Sequence, residues 1–208
     1  TSAREARAEA ISEAGGVRAA LANGSLPARA DITLSEALVL GLLLQGVSRY
    51  VTVLGHGSTE VGEVLRIYAA AGVVRSFPVR HETAAAQAAR ALRWARDETV
   101  AVVTSIGPGA LQAMSGSLVA ASDGSGVWHL YGDGATEDEG PNMQQIPRDE
   151  QGLFLRLTAT MGAAYSLHTP GALPTALRRG LATVDHPYRA APFFLLLPLN
   201  TQPELIAQ

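Results

Sequence analysis

Residues 50–79 have the sequence YVTVLGHGSTEVGEVLRIYAAAGVVRSFPV, and this stretch decides the fold class. It begins with an apolar run from Tyr50 to Leu54, passes through a glycine-rich turn into the helix-compatible stretch Glu60 to Ala71, and ends in the apolar run Val73 to Val79. Continuous apolar strands separated by amphipathic helices are typical of a parallel sheet that is covered on both faces. The stretch therefore predicts a strand–helix–strand unit.

The same alternation continues along the rest of the chain. Further runs rich in Val and Leu are separated by stretches that can form helices, such as Thr83 to Arg96. The remaining predicted strands are Val100 to Ser105, Val127 to Tyr131, Leu153 to Ala159 and Phe193 to Leu197. We therefore predict an α/β fold, a doubly wound parallel sheet of about six strands flanked by helices on both faces.

The first 23 residues differ in composition from this alternating region. They are rich in Ala with Arg and Glu interspersed, are interrupted at Gly15-Gly16, and end at Asn23-Gly24, which is a helix-stop signal. This pattern predicts a solvated, peripheral pair of helices. We expect an N-terminal helical arm over residues 1–30 and the main domain over residues 31–208.

The composition of the 208-residue chain excludes several classes of protein. Without Cys it has no disulfides, thiolate zinc site or cysteine nucleophile, and without Lys it has no Schiff-base lysine or P-loop lysine. A net charge of −3 does not suit binding to a phosphate backbone. The longest apolar runs are too short to span a bilayer, and no secretory leader opens the sequence. We expect a soluble, cytoplasmic protein that binds neither nucleic acid nor membrane.

The loops that follow the predicted strands are the first place to look for function, because open α/β sheets bind ligands at the carboxyl ends of their strands. Four of these loops are unusual in composition. They are Gly55-His56-Gly57-Ser58-Thr59, His81-Glu82-Thr83, Ile106-Gly107-Pro108-Gly109 and Gly132-Asp133-Gly134.

The first of these loops has two interpretations of equal weight. Its backbone and the hydroxyls of Ser58 and Thr59 could bind a phosphate at a helix N-terminus, or the loop could be only a tight turn. The spacing of Gly55, Gly57 and Gly62 differs from the G-x-G-x-x-G fingerprint. A dinucleotide site of that type is therefore not expected.

Glu82 also has two interpretations. A carboxylate at a helix N-terminus is most often stabilised by the helix dipole. The small residues from Thr83 to Ala91 indicate instead a carboxylate that faces a packed crevice, where burial raises a carboxyl pKa and suits it to acid–base chemistry. Ala85 replaces the second His of an H-E-x-x-H motif, and none of the His residues form an i, i+4 pair. We therefore expect no metal site built by this chain alone.

Three other patterns are not expected to carry chemistry. Gly132-Asp133-Gly134 lacks the downstream Asn that a magnesium–diphosphate motif needs, so we interpret it as a loop. The acidic run Glu137-Asp138-Glu139 is interpreted as solvated loop rather than a cation site. The chain has no G-x-S-x-G, which excludes ordinary serine-hydrolase chemistry.

Together, the four loops resemble the pyrimidine-binding domain of thiamine-diphosphate enzymes in the acetolactate synthase-like superfamily, and within it the trihydroxycyclohexanedione hydrolases. The resemblance extends from about Ile32 to Asn200 and assigns the main domain to this type. The matching segments are VLGHGSTEVGEVL at 53–65, RHETAAAQAAR at 80–90, TSIGPGALQAMSGSLVAAS at 104–122 and HLYGDGATEDEGPNMQQIP at 129–147.

The resemblance implies a role for particular side chains. Glu82 would hydrogen-bond N1′ of the cofactor's aminopyrimidine and favour the tautomer that removes the thiazolium C2 proton. The cofactor would then attack a substrate carbonyl and act as an electron sink. The other positions that match cofactor-lining or substrate-lining residues are Gly55, His56, Gly57, Ser58, Pro108, Gln112 and Asp133. Thr83, Ala84, Gln87 and Gln112 depart from common family residues, so the substrate does not transfer with the resemblance.

The resemblance also implies a partner. Family members bind diphosphate and Mg²⁺ on a second, homologous domain, which does not fit in 208 residues. The chain would supply half of an active site in a split decarboxylase or carboligase, a lyase or transferase acting on a keto substrate. A diphosphate-binding subunit would complete it, in a heterotetramer with two pyrimidine domains at its centre. The alternatives are a non-catalytic scaffold or regulatory domain of the same fold, and a free-standing nucleotide-binding module.

Overall fold

The computed structural model describes residues 2–137 and 152–207. The helices are α1 (Ala3–Ala14), α2 (Val17–Ala22), α3 (Leu34–Leu44), α4 (Thr59–Ala70), α5 (Glu82–Arg96), α6 (Pro108–Asp123), α7 (Leu153–Thr158) and α8 (Leu173–Val184), with a 3-10 turn at Pro170–Ala172. The strands are β1 (Asp31–Thr33), β2 (Arg49–Val53), β3 (Arg75–Pro78), β4 (Val100–Thr104), β5 (Trp128–Asp133), β6 (Ala163–Ser166), β7 (Phe193–Pro198) and β8 (Leu205–Ala207).

Six strands form the central sheet, in the order β3-β2-β4-β5-β7-β6. Every neighbouring pair in this sheet is parallel. Successive side chains of a strand point to opposite faces, so Trp128 and Leu130 of β5 join a core with α3, α4 and α8, whereas Tyr131 joins a core with α5 and α6. The predicted α/β fold, with a parallel sheet of six strands and helices on both faces, is confirmed.

One predicted strand is wrong. Residues 153–159 were expected to form the fifth strand of the sheet, but Leu153–Thr158 is the helix α7, and the strand is Ala163–Ser166. The apolar run is short enough to fit either structure, and as a helix it packs Phe154 and Leu155 against the sheet. The true strand lies at the sheet edge, where only one neighbour covers it, and so it carries no continuous apolar run.

The small sheet of β1 and β8 was not expected either. Its two strands pair antiparallel, with Ile32 opposite Ile206. Backbone bonds continue this connection, because Leu34 N donates to Glu204 O at 2.8 Å and Ser35 N donates to Gln202 O at 3.1 Å. The segment after β7 therefore runs back across the beginning of α3.

The N-terminal segment forms the predicted pair of helices, interrupted at Gly15 and Gly16, which both have positive φ. The pair is not a solvated arm, however, because Ile11 and Val17 are buried in the same core as α3 and α4. The alternating Arg and Glu residues concealed this packing, since the buried face consists of few residues, Ala8 and Ile11 in α1 and Val17 and Ala20 in α2. The boundary at residue 30 stays a prediction.

An ion network also joins α1 to the main domain. Thr33 accepts a hydrogen bond from Glu36 N at the start of α3, yet the Glu36 side chain does not complete the capping box. It accepts instead from Arg7 Nε and Nη2 at 2.8 and 2.7 Å, from Arg4 Nε at 3.3 Å and from the Tyr68 hydroxyl at 3.0 Å. Burial alone would raise the pKa of Glu36, but the Arg7 hydrogen bond and charge, with Tyr68 and Arg4, hold that pKa below its usual range.

Within the described residues 2–137 and 152–207, no helix combines the length and apolar character needed to cross a membrane.

Candidate functional site

The turn after β2 is closed on itself. Ser58 N donates to Gly55 O at 3.1 Å, and the Ser58 hydroxyl both accepts from Gly55 N and donates to Gly55 O, each at 3.1 Å. Gly57 has φ +85°, a left-handed conformation that favours glycine. Ser58 is buried, while the His56 side chain is exposed. The four predicted residues thus form one compact, preformed turn at the carboxyl edge of the sheet.

This turn crosses the end of β4 and rests on β5. Ile106 N, just after β4, donates to His56 O at 3.1 Å. A Cβ at Gly132 of β5 would lie only 2.7 Å from Gly57 O, and a Cβ at Gly57 would overlap the Ile106 side chain. Glycine at positions 57 and 132 therefore permits the turn and β5 to approach so closely that a side chain at either position would collide with its neighbours.

The loop after β4 packs closely against the turn. Gly107 has φ +57° and ψ −111°, which lets the backbone reverse into Pro108 at the start of α6. An ideal Cβ at Gly109 would lie 2.5 Å from Ser105 Oγ and 3.1 Å from Glu82 Oε1. The same Ser105 side chain would meet a Cβ at Gly55 at 3.0 Å. Glycine at positions 55 and 109 therefore lets the turn and the start of α6 pack closely on Ser105, with Glu82 Oε1 beside Gly109.

Glu82 is the first residue of α5 and is partly exposed. His81 caps the helix by accepting from Thr83 N on Nδ1 at 3.2 Å. Within the described part of the chain, no hydrogen bond or ion pair to the Glu82 carboxylate is found. The structure thus places a carboxylate that has no described protein partner beside the backbone of Gly109. Its exposure shows that this chain alone does not enclose it in the packed crevice that the sequence predicts.

Helices α5 and α6 are held together next to Glu82. Thr83 Oγ1 donates to Gln112 O at 2.9 Å, and a Cβ at Gly116 would lie 2.7 Å from Thr83 O. The side chains of Gln112 and Pro108 are exposed. Thr83, one of the departures from the family pattern, therefore ties the start of α5, and with it Glu82, to α6.

The contacts described above form a row that runs from Glu82 through Gly109, Ser105 and the turn after β2 to Gly132. Asp133 lies at the end of this row that is opposite to Glu82. Asp133 follows as the last residue of β5, and its Oδ1 accepts from Gly134 N at 3.0 Å. It lines a different cleft of about 470 Å³, with Thr136, Ser166 and His168 among the other lining residues. The predicted site residues thus fall into one group around Glu82 and a separate position at Asp133.

No group of three or more potential metal ligands occurs in the residues that the structure describes. Asp133 and Glu137 are among those residues, whereas Asp138 and Glu139 of the acidic run lie outside them. The last part of the fourth matching segment, residues 138–147, also lies outside them.

Two residues of this site were not predicted from the sequence. Ser105 could have been found, because it directly follows a strand and precedes the Gly-Pro-Gly loop. Gln202 carries no comparable signal, yet its buried amide donates from Nε2 to Gly57 O at 2.7 Å and to Leu197 O at 2.9 Å. It therefore supports the turn after β2 from the far end of the chain.

The comparison with known proteins agrees with the geometry. No curated protein matches the chain. Residues 32–153 match the family model described as thiamine pyrophosphate enzyme, N-terminal TPP binding domain. This match spans more than half of the chain and includes the turn after β2, Glu82, the Gly-Pro-Gly loop and Asp133. The chain therefore belongs to the thiamine pyrophosphate enzyme family and carries its N-terminal TPP-binding domain.

Proposed function

We propose that this chain is the pyrimidine-binding subunit of a split thiamine-diphosphate enzyme that makes or breaks a carbon–carbon bond next to a carbonyl. One observation carries the proposal. The Glu82 carboxylate lies beside Gly109 at the carboxyl edge of the sheet, is partly exposed, and has no hydrogen bond or ion pair among the described residues. Family membership supplies the ligand that such a carboxylate would bind.

The residues around Glu82 fit an aminopyrimidine ring by their chemistry. Glu82 offers a carboxylate oxygen, Ser105 offers a hydroxyl nearby, and glycine at positions 55 and 109 places no side chain over them. When bound, thiamine diphosphate supplies a carbon nucleophile and an electron sink. The groups of this chain would bind and orient the ring, as positioning is the main contribution that a protein makes to such chemistry.

Glu82 is the proposed catalytic residue. Its carboxylate would hold a proton between an oxygen and a ring nitrogen of the cofactor, which is general acid–base work of the kind worth about 10²–10⁴ in rate. The closed turn at Gly55–Ser58 would form one wall of the ring site, and Pro108 with Gln112 would border its open side. Asp133, which lines the separate cleft, is assigned to the substrate side of the site.

A partner is the second part of the proposal. The matched family model is an N-terminal TPP-binding domain, which supports binding of the diphosphate and Mg²⁺ by a separate diphosphate-binding subunit. The outer faces of α5 and α6 expose large apolar side chains, Trp94 at 73% and Leu118 at 54%, on the helices that begin at the site. Aromatic side chains such as Trp94 are enriched at interaction surfaces. We assign this surface to the partner and to a second pyrimidine domain, in a heterotetramer.

The reaction class is proposed from the four matching loops rather than from a bound substrate. They favour a decarboxylase or carboligase, a lyase or transferase of the acetolactate synthase or trihydroxycyclohexanedione hydrolase type, with a keto substrate. The exposed Gln112 would contact that substrate where many relatives have Asn.

Exchange of the cofactor's C2 proton in the native complex tests the function. The chain is purified from its source with whatever subunit accompanies it, and exchange is followed by NMR for wild type, Glu82→Gln and Glu9→Gln. Glu9 is an exposed carboxylate on α1 and serves as the matched control. We expect Glu82→Gln to slow exchange by about 10²-fold or more and Glu9→Gln to leave it unchanged.

Two results would contradict the proposal. Undiminished exchange in Glu82→Gln would remove this carboxylate from the chemistry. Failure of the chain to bind thiamine diphosphate with any accompanying subunit would favour the scaffold or regulatory role instead.

A further inference from the structure

The Gln202 side chain is buried, with 2% of its surface exposed, and it lies 145 residues from the turn that it contacts. Both hydrogens of its amide have an acceptor, because Nε2 donates to Gly57 O at 2.7 Å and to Leu197 O at 2.9 Å. A reversed amide would place its oxygen against two carbonyl oxygens, which repel it. The chemistry of the site therefore fixes the orientation of the amide and requires a donor at this position.

The segment that carries Gln202 is itself held in place. Ser35 N donates to the Gln202 carbonyl at 3.1 Å, and the buried hydroxyl of Thr201 reaches Leu167 O at 3.0 Å and Pro198 O at 3.1 Å. The amide thus projects from a rigid support that combines the start of α3 with the end of β7. Gly57 O would otherwise be a buried acceptor without a donor, which is unfavourable.

The contact reaches the site through the turn. The turn after β2 is closed by Ser58 and held from β4 by Ile106 N, and Gln202 is its attachment on the β7 side. Movement at Gly57 would shift Gly55, which packs closely on Ser105, and Ser105 in turn packs on Gly109 beside Glu82.

We propose that Gln202 is a positioning residue, which sets the turn after β2 at the distance from Glu82 that an aminopyrimidine ring requires. The inference rests on the proposed function, since it names a residue that acts on the same ring site. The described hydrogen bonds of the Gln202 side chain go to Gly57 and Leu197 and not to Glu82, so its effect on a ligand would come through the backbone of the turn.

Hydrogen exchange in the full chain tests the first half of the inference. Gln202→Met removes both donors at similar length, and Thr158→Val is the matched control, because it removes a buried hydroxyl whose hydrogen bonds, to Phe154 O and Leu155 O, lie within α7. We expect the amides of Ser58 and Ile106 to exchange about tenfold faster in Gln202→Met than in Thr158→Val. Equal exchange in the two variants would overturn the proposal.

Binding of the free aminopyrimidine tests the second half. The probe is the hydroxymethyl-aminopyrimidine half of thiamine, titrated by NMR into wild type, Gln202→Met, Thr158→Val and Glu82→Gln. We expect affinity to fall about tenfold in Gln202→Met and to stay near wild type in Thr158→Val. If both variants lose affinity for the probe in proportion to their loss of stability, Gln202 has only a structural role.

The Glu82 variant separates the two claims. If Glu82→Gln loses affinity while Gln202→Met keeps it, the positioning role is wrong and the proposed function stands. If wild type and Glu82→Gln behave alike toward the probe, the proposed function fails. The exchange comparison would then still decide whether Gln202 holds the turn.

Discussion

His129 is a titratable residue in the centre of the sheet. Its ring is fully buried, stacks on Phe194 with ring centroids 4.7 Å apart, and lies 3.0 Å from the Tyr131 hydroxyl through Nδ1. Among the described residues, Nε2 has no hydrogen-bond partner. Burial lowers the pKa of His129 to about 3, so the folded chain keeps this imidazole neutral over the whole physiological range.

This burial predicts a pH dependence of stability. The ordinary His pKa is about 6.5, so below that pH His129 binds a proton in the unfolded chain but not in the folded chain. The contribution of His129 is complete above about pH 6.5 and is lost progressively as pH falls toward about 3. The free energy of unfolding should therefore decrease by up to about 1.4 kcal/mol per pH unit in this window. Urea denaturation at a series of pH values measures the slope.

Two variants assign that slope to its residue. Tyr131→Phe keeps the imidazole and serves as the control, while the double variant His129→Phe/Tyr131→Phe removes the imidazole without leaving the tyrosine hydroxyl unpaired. The double variant should lose most of the slope between about pH 5 and 6.5, whereas the control should keep it. Equal slopes in both would contradict the assignment.

Residues differ in how much the sequence reveals of their place in the site. Glu82, Gly55 and Pro108 could be predicted, because each follows a strand and the carboxyl ends of parallel strands meet at one edge. Gln202 could not, since its contact with Gly57 spans 145 residues and depends on how the segment after β7 folds back. Asp133 follows a strand as well, but the crossing turn over Gly132 places it at a different cleft, and no local pattern reports such a crossing.

At the scale of elements, the packing of α5 on α6 sets the position of Glu82. A Cβ at Gly116 would lie 2.7 Å from Thr83 O and 2.9 Å from Ala86 Cβ, so the backbones approach more closely than any side chain allows. The closest of these atoms, Thr83 O, belongs to the backbone and cannot rotate away. The first turn of α5 would therefore have to move as a unit.

Gly116→Ala should for this reason destabilise the chain and weaken the ring site together. We expect a loss of about 1–3 kcal/mol in the free energy of unfolding and a measurable loss of aminopyrimidine affinity. Gly62→Ala is the control, because it also lies inside a helix but would meet only the flexible end of Leu54. If the two variants bind the probe alike, the α5–α6 contact does not position Glu82.

Elements were predicted where burial on both faces leaves a continuous apolar run, as in β4 and β7. The prediction failed at α7, because a six-residue apolar run covers a sheet as a helix or joins it as a strand equally well. It also failed at β6, whose sequence AAYS has an edge position and so needs few apolar residues. Pairing partners far apart in the chain, as in β1 and β8, leave no local signal.

At the scale of the whole molecule, the first helix is fastened to the main domain through one buried carboxylate. Glu36 has 1% of its side chain exposed and pairs with Arg4 and Arg7 of α1, which are themselves mostly buried. Arg4 also reaches Glu60 of α4 at 2.7 Å. Removing the two guanidinium groups would leave a buried charge with only the Tyr68 hydroxyl as a partner.

The double variant Arg4→Met/Arg7→Met should therefore lose about 3–5 kcal/mol in the free energy of unfolding near neutral pH, since breaking a buried pair from one side leaves an uncompensated charge. Adding Glu36→Gln should recover much of that loss. The control Arg66→Met breaks an exposed pair with Glu63 and should change stability little.

Because the pKa of Glu36 is lowered in the folded chain, its stabilisation is present above the unfolded value of about 4.3 and is lost as pH falls through the folded value. Wild type and the double variant should therefore converge in strong acid, and a gap that persists there would show that the arginines act by packing rather than by charge.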